Sequence, residues 1–225
     1  MTTILVAAAH PDDETLGCGG TMLRHARTGN TVHVAFFADG ETSRGGRAAK
    51  KVAGRRAQAA AACNILGAKS PHFFDFPDNR MDTVSMLDLA KAVEQVIATV
   101  KPAIIYTHHA HDLNVDHRLV HQAVMTACRP QPGSNVRAIY AFEVASSTGW
   151  AGPTLPQFSP ARFVNIEQQW TAKRQALRYY ADEMRTFPHV RSFEAIEALA
   201  RYRGASVGLP MAEAFEVLRD VIAGD

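Results

Sequence analysis

Apolar residues gather in short runs along the first two thirds of the chain, and segments with helical spacing separate the runs. The first run is Ile4, Leu5, Val6, Ala7 and Ala8, after which Leu16, Met22, Leu23 and Ala26 recur as on one helical face. Residues 32–37 predict a second strand, with Gly29 and Asn30 before it as a turn or helix-end signal. Residues 47–66 are Ala-rich and predict a helix stopped by Gly67; residues 72–76 predict a third, short strand. Over 84–100 the positions Met86, Leu89, Val93, Val96, Ile97 and Val100 mark an amphipathic helix, and Pro102 introduces a fourth strand at 103–106. A helix over 115–128 and a fifth strand over 136–142 follow. Residues 147–160, with three prolines and two glycines, read as a loop. The remainder predicts helices at 168–182, 192–203 and 210–222.

This alternation predicts an α/β protein, a Rossmann-like three-layer α/β/α arrangement with a mainly parallel sheet and helices on both faces. A length of 225 residues fits one domain over 1–225, with a helical C-terminal part at about 165–225. Hydrophobic residues at 47% supply a sizeable core and argue against disorder. A net charge of +2 is too near balance for nucleic acid or an anionic membrane to be the main partner. The N-terminal apolar run is too short for a signal peptide or a membrane span. Cys18, Cys63 and Cys128 are widely spaced and form no CxxC, so they read as small core residues in a reducing cytoplasm.

Polar residues follow the predicted strand ends. His10, Asp12 and Asp13 follow the first, Asp39 and Glu41 the second, Asp75 and Asp78 the third, His108 and His109 the fourth, Glu143 the fifth. In an open α/β sheet, ligands bind outside the carboxyl ends of the strands. The densest cluster is the hexapeptide Ala9-His10-Pro11-Asp12-Asp13-Glu14. Unpaired charge at a buried strand end costs several kcal/mol, on the order of 3–5, and a metal ion or a catalytic task justifies it. His10 and Asp13, three apart, can hold one divalent ion and leave Asp12 as a base; the plainer alternative is a helix N-cap. Between the fourth strand and its helix lie His108, His109, His111, Asp112, Asn114, Asp116 and His117. One of these histidines would complete a set of two nitrogens and one oxygen. Gly17, Gly19 and Gly20 do not make a dinucleotide fingerprint, because position 22 is Met; close packing of the first helix explains them better.

The AHPDDE hexapeptide together with the Asp116-His117 pair resembles the PIG-L/LmbE-like family of zinc-dependent N-acetyl-sugar deacetylases, over roughly residues 3–144 and more loosely beyond. The resemblance implies His10, Asp13 and His117 as metal ligands, Asp12 as general base, and Zn2+, with Fe2+ as the other divalent candidate. It implies a small-molecule N-acetylated sugar or sugar conjugate as substrate, with no nucleic acid and no membrane span; a homo-oligomer is left open. Many members carry a histidine three residues before the ligand histidine, where it helps hold the oxyanion. This chain has Asn114 there, so Asn114, His109 and His111 are the candidates for that role. His121 reads as a packed or supporting histidine. Arg44, on a Gly-rich loop, suits a phosphate or carboxylate, and Glu143 suits either sugar hydroxyls or a structural ion pair. Arg203, Glu213 and Glu216 receive no role. Two further readings stay open: a non-haem iron enzyme on the same two-His-one-Asp set, and a sugar or nucleotide binding module without catalysis.

Overall fold

The computed structural model describes residues 1–41 and 49–222. Strands β1 (Thr3–Ala8), β2 (Thr31–Ala38), β3 (His72–Phe76), β4 (Ile104–His108), β5 (Ala138–Phe142), β6 (Arg162–Asn165) and β7 (Ala212–Asp220) form one sheet in the order β3-β2-β1-β4-β5-β7-β6. The first five are parallel; β7 runs antiparallel to both β5 and β6. Helices α1 (Asp13–Arg27), α2 (Ala49–Ile65), α3 (Met86–Val100), α4 (Val115–Ala127), α5 (Trp170–Leu177) and α6 (Phe193–Ala205) complete the described elements, joined by single 3-10 turns such as Thr148–Trp150.

Alternation along β1 explains the layers. Ile4, Val6 and Ala8 face a core built with Met22 of α1, Ala59 and Cys63 of α2, and Ala176 of α5. Leu5 and Ala7 face the opposite core, built with Leu89 and Val93 of α3 and Val120 and Val124 of α4. A strand covered on both sides has no solvent face, so it reads as an unbroken apolar run. The three cysteines are free and buried.

The expected helix over 210–222 is strand β7, and the C-terminal part is therefore not all helical; the short β6 was not foreseen at all. Ala, Glu and Leu favour helix in isolation. Here two neighbouring strands offer a ladder on both edges, with Phe142 opposite Phe215 and Val164 opposite Glu213, and the sheet overrides propensity. Phe215 is fully buried and meets the Tyr106 ring edge-on, 5.0 Å away.

Glu213 also answers for a break in α1. The helix is non-helical at Cys18 (φ −145°, ψ 21°), which disturbs the backbone ladder near it. Glu213 accepts from the backbone N–H of Gly20 (2.8 Å) and Thr21 (2.7 Å). Buried Lys173 then binds Glu213 at 2.7 Å and the Leu16 carbonyl at 2.9 Å. Only glycine permits this approach: a Cβ on Gly17 would overlap the Phe142 ring, and one on Gly20 would stand 2.6 Å from Ile166 Cγ2. Replacing Glu213 by Ala leaves Lys173 buried without its countercharge. Glu213→Ala is expected to cost about 3–5 kcal/mol of unfolding free energy in urea denaturation, with an unchanged m-value.

Candidate metal and hydrolytic site

The strand order reverses between β1 and β4, and the chain leaves these two neighbours in different directions. The crevice at such a switch point is where an α/β sheet binds ligands. The segment after β1 enters it with His10, Asp12 and Asp13; the segment after β4 enters it with Asn114 and His117.

Asp13, fully buried, is the hub. Its Oδ2 lies 3.3 Å from His10 Nδ1 and 3.2 Å from His117 Nε2, and its Oδ1 is buried with no hydrogen-bond partner. Ligands at 2.0–2.1 Å around a tetrahedral ion are separated by about 3.3 Å, so both Asp13 contacts have the length of one polyhedron edge, and the three ligand atoms lie within 4.8 Å of one another. His10, Asp13 and His117 are thus a group that could hold a divalent ion. The far nitrogen of each imidazole meets a carboxylate. His10 Nε2 contacts Asp116 Oδ2 at 3.0 Å and Asp78 Oδ1 at 3.2 Å. His117 Nδ1 contacts Asp112 Oδ1 at 3.3 Å. A carboxylate behind a ligand histidine fixes its tautomer and raises its basicity.

Those carboxylates are fixed in turn. Asp116 accepts from the backbone N–H of Asn79 (2.6 Å) and Met81 (3.0 Å). Asp112 accepts from Ser147 Oγ (3.1 Å) and Thr148 Oγ1 (2.5 Å). Burial alone would lower the His10 and His117 pKa values. Asp116, Asp13 and Asp78 nevertheless raise His10 well above its ordinary value, and Asp13 and Asp112 push His117 up to about 9. Burial alone would raise Asp13, yet His117 and His10 hold it well below the usual carboxylate range. The ring protons therefore stand where a metal ion would, and binding one would release them.

Asp12 adjoins the same cavity and has a different balance. Its backbone is at φ 125°, a region that side-chain-bearing residues avoid at a cost of about 1–3 kcal/mol. Glu14 supports it by accepting the Asp12 N–H at 3.0 Å, and Glu14 is held by Thr15 Oγ1 and Tyr180 Oη at 2.5 and 2.8 Å. Burial pushes Glu14 up to about 7. Arg191 Nη1 donates to Asp12 Oδ2 at 2.8 Å, while Oδ1 has no hydrogen-bond partner among the described residues. Burial pushes Asp12 up to about 6, against the pull of Arg191. Asp12 does not cap α1 through its side chain.

The family profile described as GlcNAc-PI de-N-acetylase (PIG-L) matches residues 5–128, the part that carries β1 to β4 and both motifs. The chain belongs to the PIG-L family. It is 30% identical to the uncharacterized deacetylase YaiS of Escherichia coli (strain K12) over 181 residues, 78% of this chain and 88% of that protein. It is 27% identical to the 1D-myo-inositol 2-acetamido-2-deoxy-alpha-D-glucopyranoside deacetylase of Rhodococcus opacus (strain B4), with 82% of each chain covered. Among solved structures it resembles GalB, the 4-carboxy-2-hydroxymuconate hydratase of Pseudomonas putida KT2440. That match has a TM-score of 0.79 and 25% identity, and covers 100% of this chain and 99% of that one.

Several site expectations require correction. His109 and His111 do not line the cavity of this PIG-L protein that holds Asp12 and His117; they line a separate one, beside Pro156 and Glu216. His109 Nδ1 contacts Glu216 Oε2 at 2.7 Å and its Nε2 the Pro156 carbonyl at 3.2 Å, so both nitrogens are engaged there. A loop after a strand can turn either way, and its pairing with β7 was not legible locally. Asn114 does reach the cavity, but as the N-cap of α4: Oδ1 accepts the Asp116 N–H at 2.8 Å, and Nδ2 donates to Asn79 Oδ1 at 2.9 Å. Glu143 forms a two-bond ion pair with Arg203 (2.7 and 2.8 Å) in a neighbouring cavity. Arg44 lies outside the described residues. His108 accepts the Ala9 N–H at its Nε2 (2.8 Å) and stacks on His117 at 3.9 Å; His121 Nδ1 bonds the His108 carbonyl at 2.8 Å.

Sequence reasoning missed Arg191, Glu183 and Arg55, which share the cavity wall with Asp12. Glu183 pairs with Arg55 and lies 3.4 Å from Arg191. Their spacing along the chain carries no motif, and only the fold unites them. Asn114 Oδ1 caps α4 and one Nδ2 hydrogen is given to Asn79, so the contribution of Asn114 that the geometry shows is to the start of α4. Asn114→Ala is expected to lower stability by about 1 kcal/mol in thermal or chemical denaturation, the usual loss of an N-cap. Turnover by the folded variant should stay near normal.

Proposed function

We propose that this protein hydrolyses the acetamide of an N-acetylated amino sugar or sugar conjugate, releasing acetate and the free amine. The observation that carries this reading is the Asp13 carboxylate set between His10 Nδ1 and His117 Nε2 at polyhedron-edge distances, with Asp12 on the same cavity wall. Zinc is the ion we assign to His10, Asp13 and His117, since two imidazoles and one carboxylate suit it and leave a position open. When bound, it supplies Lewis-acid polarisation of the acetyl carbonyl and of the attacking water. Asp12 is the general base in this reading. Arg191 holds its Oδ2, which aims the unpartnered Oδ1 to take a proton from the water as that water attacks the carbonyl carbon. The same carboxyl, now protonated, returns the proton to the amine nitrogen as the C–N bond breaks.

The likeness to the hydratase supports a second reading. Addition of water across a carbon–carbon double bond would use the same base and the same polarised water. The Arg191 guanidinium, whose Nη2 has no hydrogen-bond partner among the described residues, suits a substrate carboxylate. Acetate release from N-acetylglucosamine conjugates favours the deacetylase. Loss of ultraviolet absorbance from an unsaturated carboxylate without acetate release favours the hydratase.

Two variants test the assignment of roles. Asp12→Asn should retain the metal by elemental analysis while kcat falls about 10²–10⁴-fold; loss of metal would make Asp12 a ligand instead. Because the base works as a carboxylate, wild-type kcat/KM should fall with decreasing pH at or below about 6, as a bound cation draws that value down. Asp116→Asn removes the carboxylate behind His10 and should weaken metal affinity about 10–100-fold in competition with a chelator.

A further inference from the structure

Ser146, Ser147 and Arg191 bring two short segments, 146–150 and 187–191, to the cavity wall, and these segments carry one feature that the hydrolytic chemistry leaves unused. Three residues beyond Ser147, the indole of Trp150 is 52% exposed. Its ring meets His189 with centroids 5.6 Å apart at 81°. His189 Nδ1 accepts the Arg191 N–H at 3.0 Å, and Arg191 Nε donates to Ser146 Oγ at 2.7 Å. Trp150 thus belongs to a closed ring of contacts that returns to the cavity from both ends.

A lone exposed apolar residue is ordinary on a protein surface. Trp150 differs in how firmly its turn is held. Thr148 Oγ1 and Ser147 Oγ both donate to Asp112, the carboxylate behind His117, and the Val144 N–H donates to Thr148 Oγ1 at 2.9 Å. The turn that orients a metal-ligand histidine also presents the indole. Its perpendicular contact with His189 covers at most one ring face. A flat, pre-ordered aromatic face beside a polar cavity is suited to the C–H face of a pyranose ring, whose hydroxyls then point to the polar walls.

We propose that Trp150, braced by His189 on the turn that follows the cavity-lining Ser147, is the stacking platform for the sugar ring of the substrate. This rests on the deacetylase reading for its substrate class, and its occupant is a pyranose. Binding there acts on ground state and transition state alike, so it sets KM rather than kcat.

The zinc-loaded protein and two variants test it. The chain has two tryptophans, Trp150 and Trp170, so the intrinsic fluorescence of wild type and Trp150→Phe separates them. N-acetylglucosamine should change the wild-type emission and leave Trp150→Phe unchanged. Trp150→Ala should raise KM about tenfold with kcat within about twofold, the scale of one lost aromatic contact. If acetate is released but KM and fluorescence are both insensitive to Trp150, the platform is overturned and the deacetylase reading stands. If the sugar changes Trp150 emission but no N-acetyl sugar is hydrolysed, the platform stands and the deacetylase reading falls. If the sugar neither binds nor turns over, both fall. A collapse of kcat with unchanged KM in Trp150→Ala would also overturn the platform, because the turn would then act through Asp112 and His117.

Discussion

A carboxylate removed from water at the end of β1 constrains everything around it. Asp13 is fully buried and keeps one oxygen without a hydrogen bond among the described residues. Such a group is costly unless cations surround it. Two imidazoles supply that surrounding, and each is backed by another buried carboxylate, Asp116 or Asp112. The arrangement extends outward until it ends on backbone N–H groups and hydroxyls that cannot ionise near neutral pH. The 79–81 turn, the start of α4 and the 147–148 turn are therefore parts of one electrostatic unit, and disturbing any of them reaches His10, Asp13 and His117.

The fold makes this unit possible because β1 and β4 are neighbours. Their register pairs Ile4 with Ile104 and Val6 with Tyr106, so both strands deliver their next residues to one end of the sheet. The reversal of strand order there opens a crevice that neither segment alone could form. Asp12 gains its separate character from the same place. Its unusual backbone angle goes with a side chain turned to Arg191 rather than into the cap of α1, and its Oδ1 has no hydrogen-bond partner among the described residues. Adjacent carboxylates thus have opposite tendencies: Asp13 is held ionised, and Asp12 is lifted toward neutrality. Such a division suits one residue to holding a cation and its neighbour to carrying a proton.

Relatives with different reactions share this architecture, and a metal-ligand set with a base does not by itself choose between adding water to an amide and to a double bond. The choice lies in the wall that meets the rest of the substrate. In this chain Arg191, Glu183, Arg55, Ser146 and Ser147, all from outside the two motifs, line the cavity beside Asp12.

The sequence by itself determined the strand–helix alternation of the first two thirds, because doubly covered strands must be apolar and amphipathic helices must repeat at helical spacing. It also made His10, Asp12 and Asp13 conspicuous, since clustered charge after an apolar strand demands a purpose; among the histidines after the fourth strand, the family resemblance picked out His117. Tertiary structure decided what depends on distant partners. Residues 212–220 have the composition of a helix and become a strand because β5 and β6 offer edges to pair with. His109 and Glu143, both at strand ends, turn away to Glu216 and Arg203, which lie far along the chain. Arg191 reaches Asp12 across 179 positions, a contact that no local spacing encodes and that exists only because the chain folds back over the switch point.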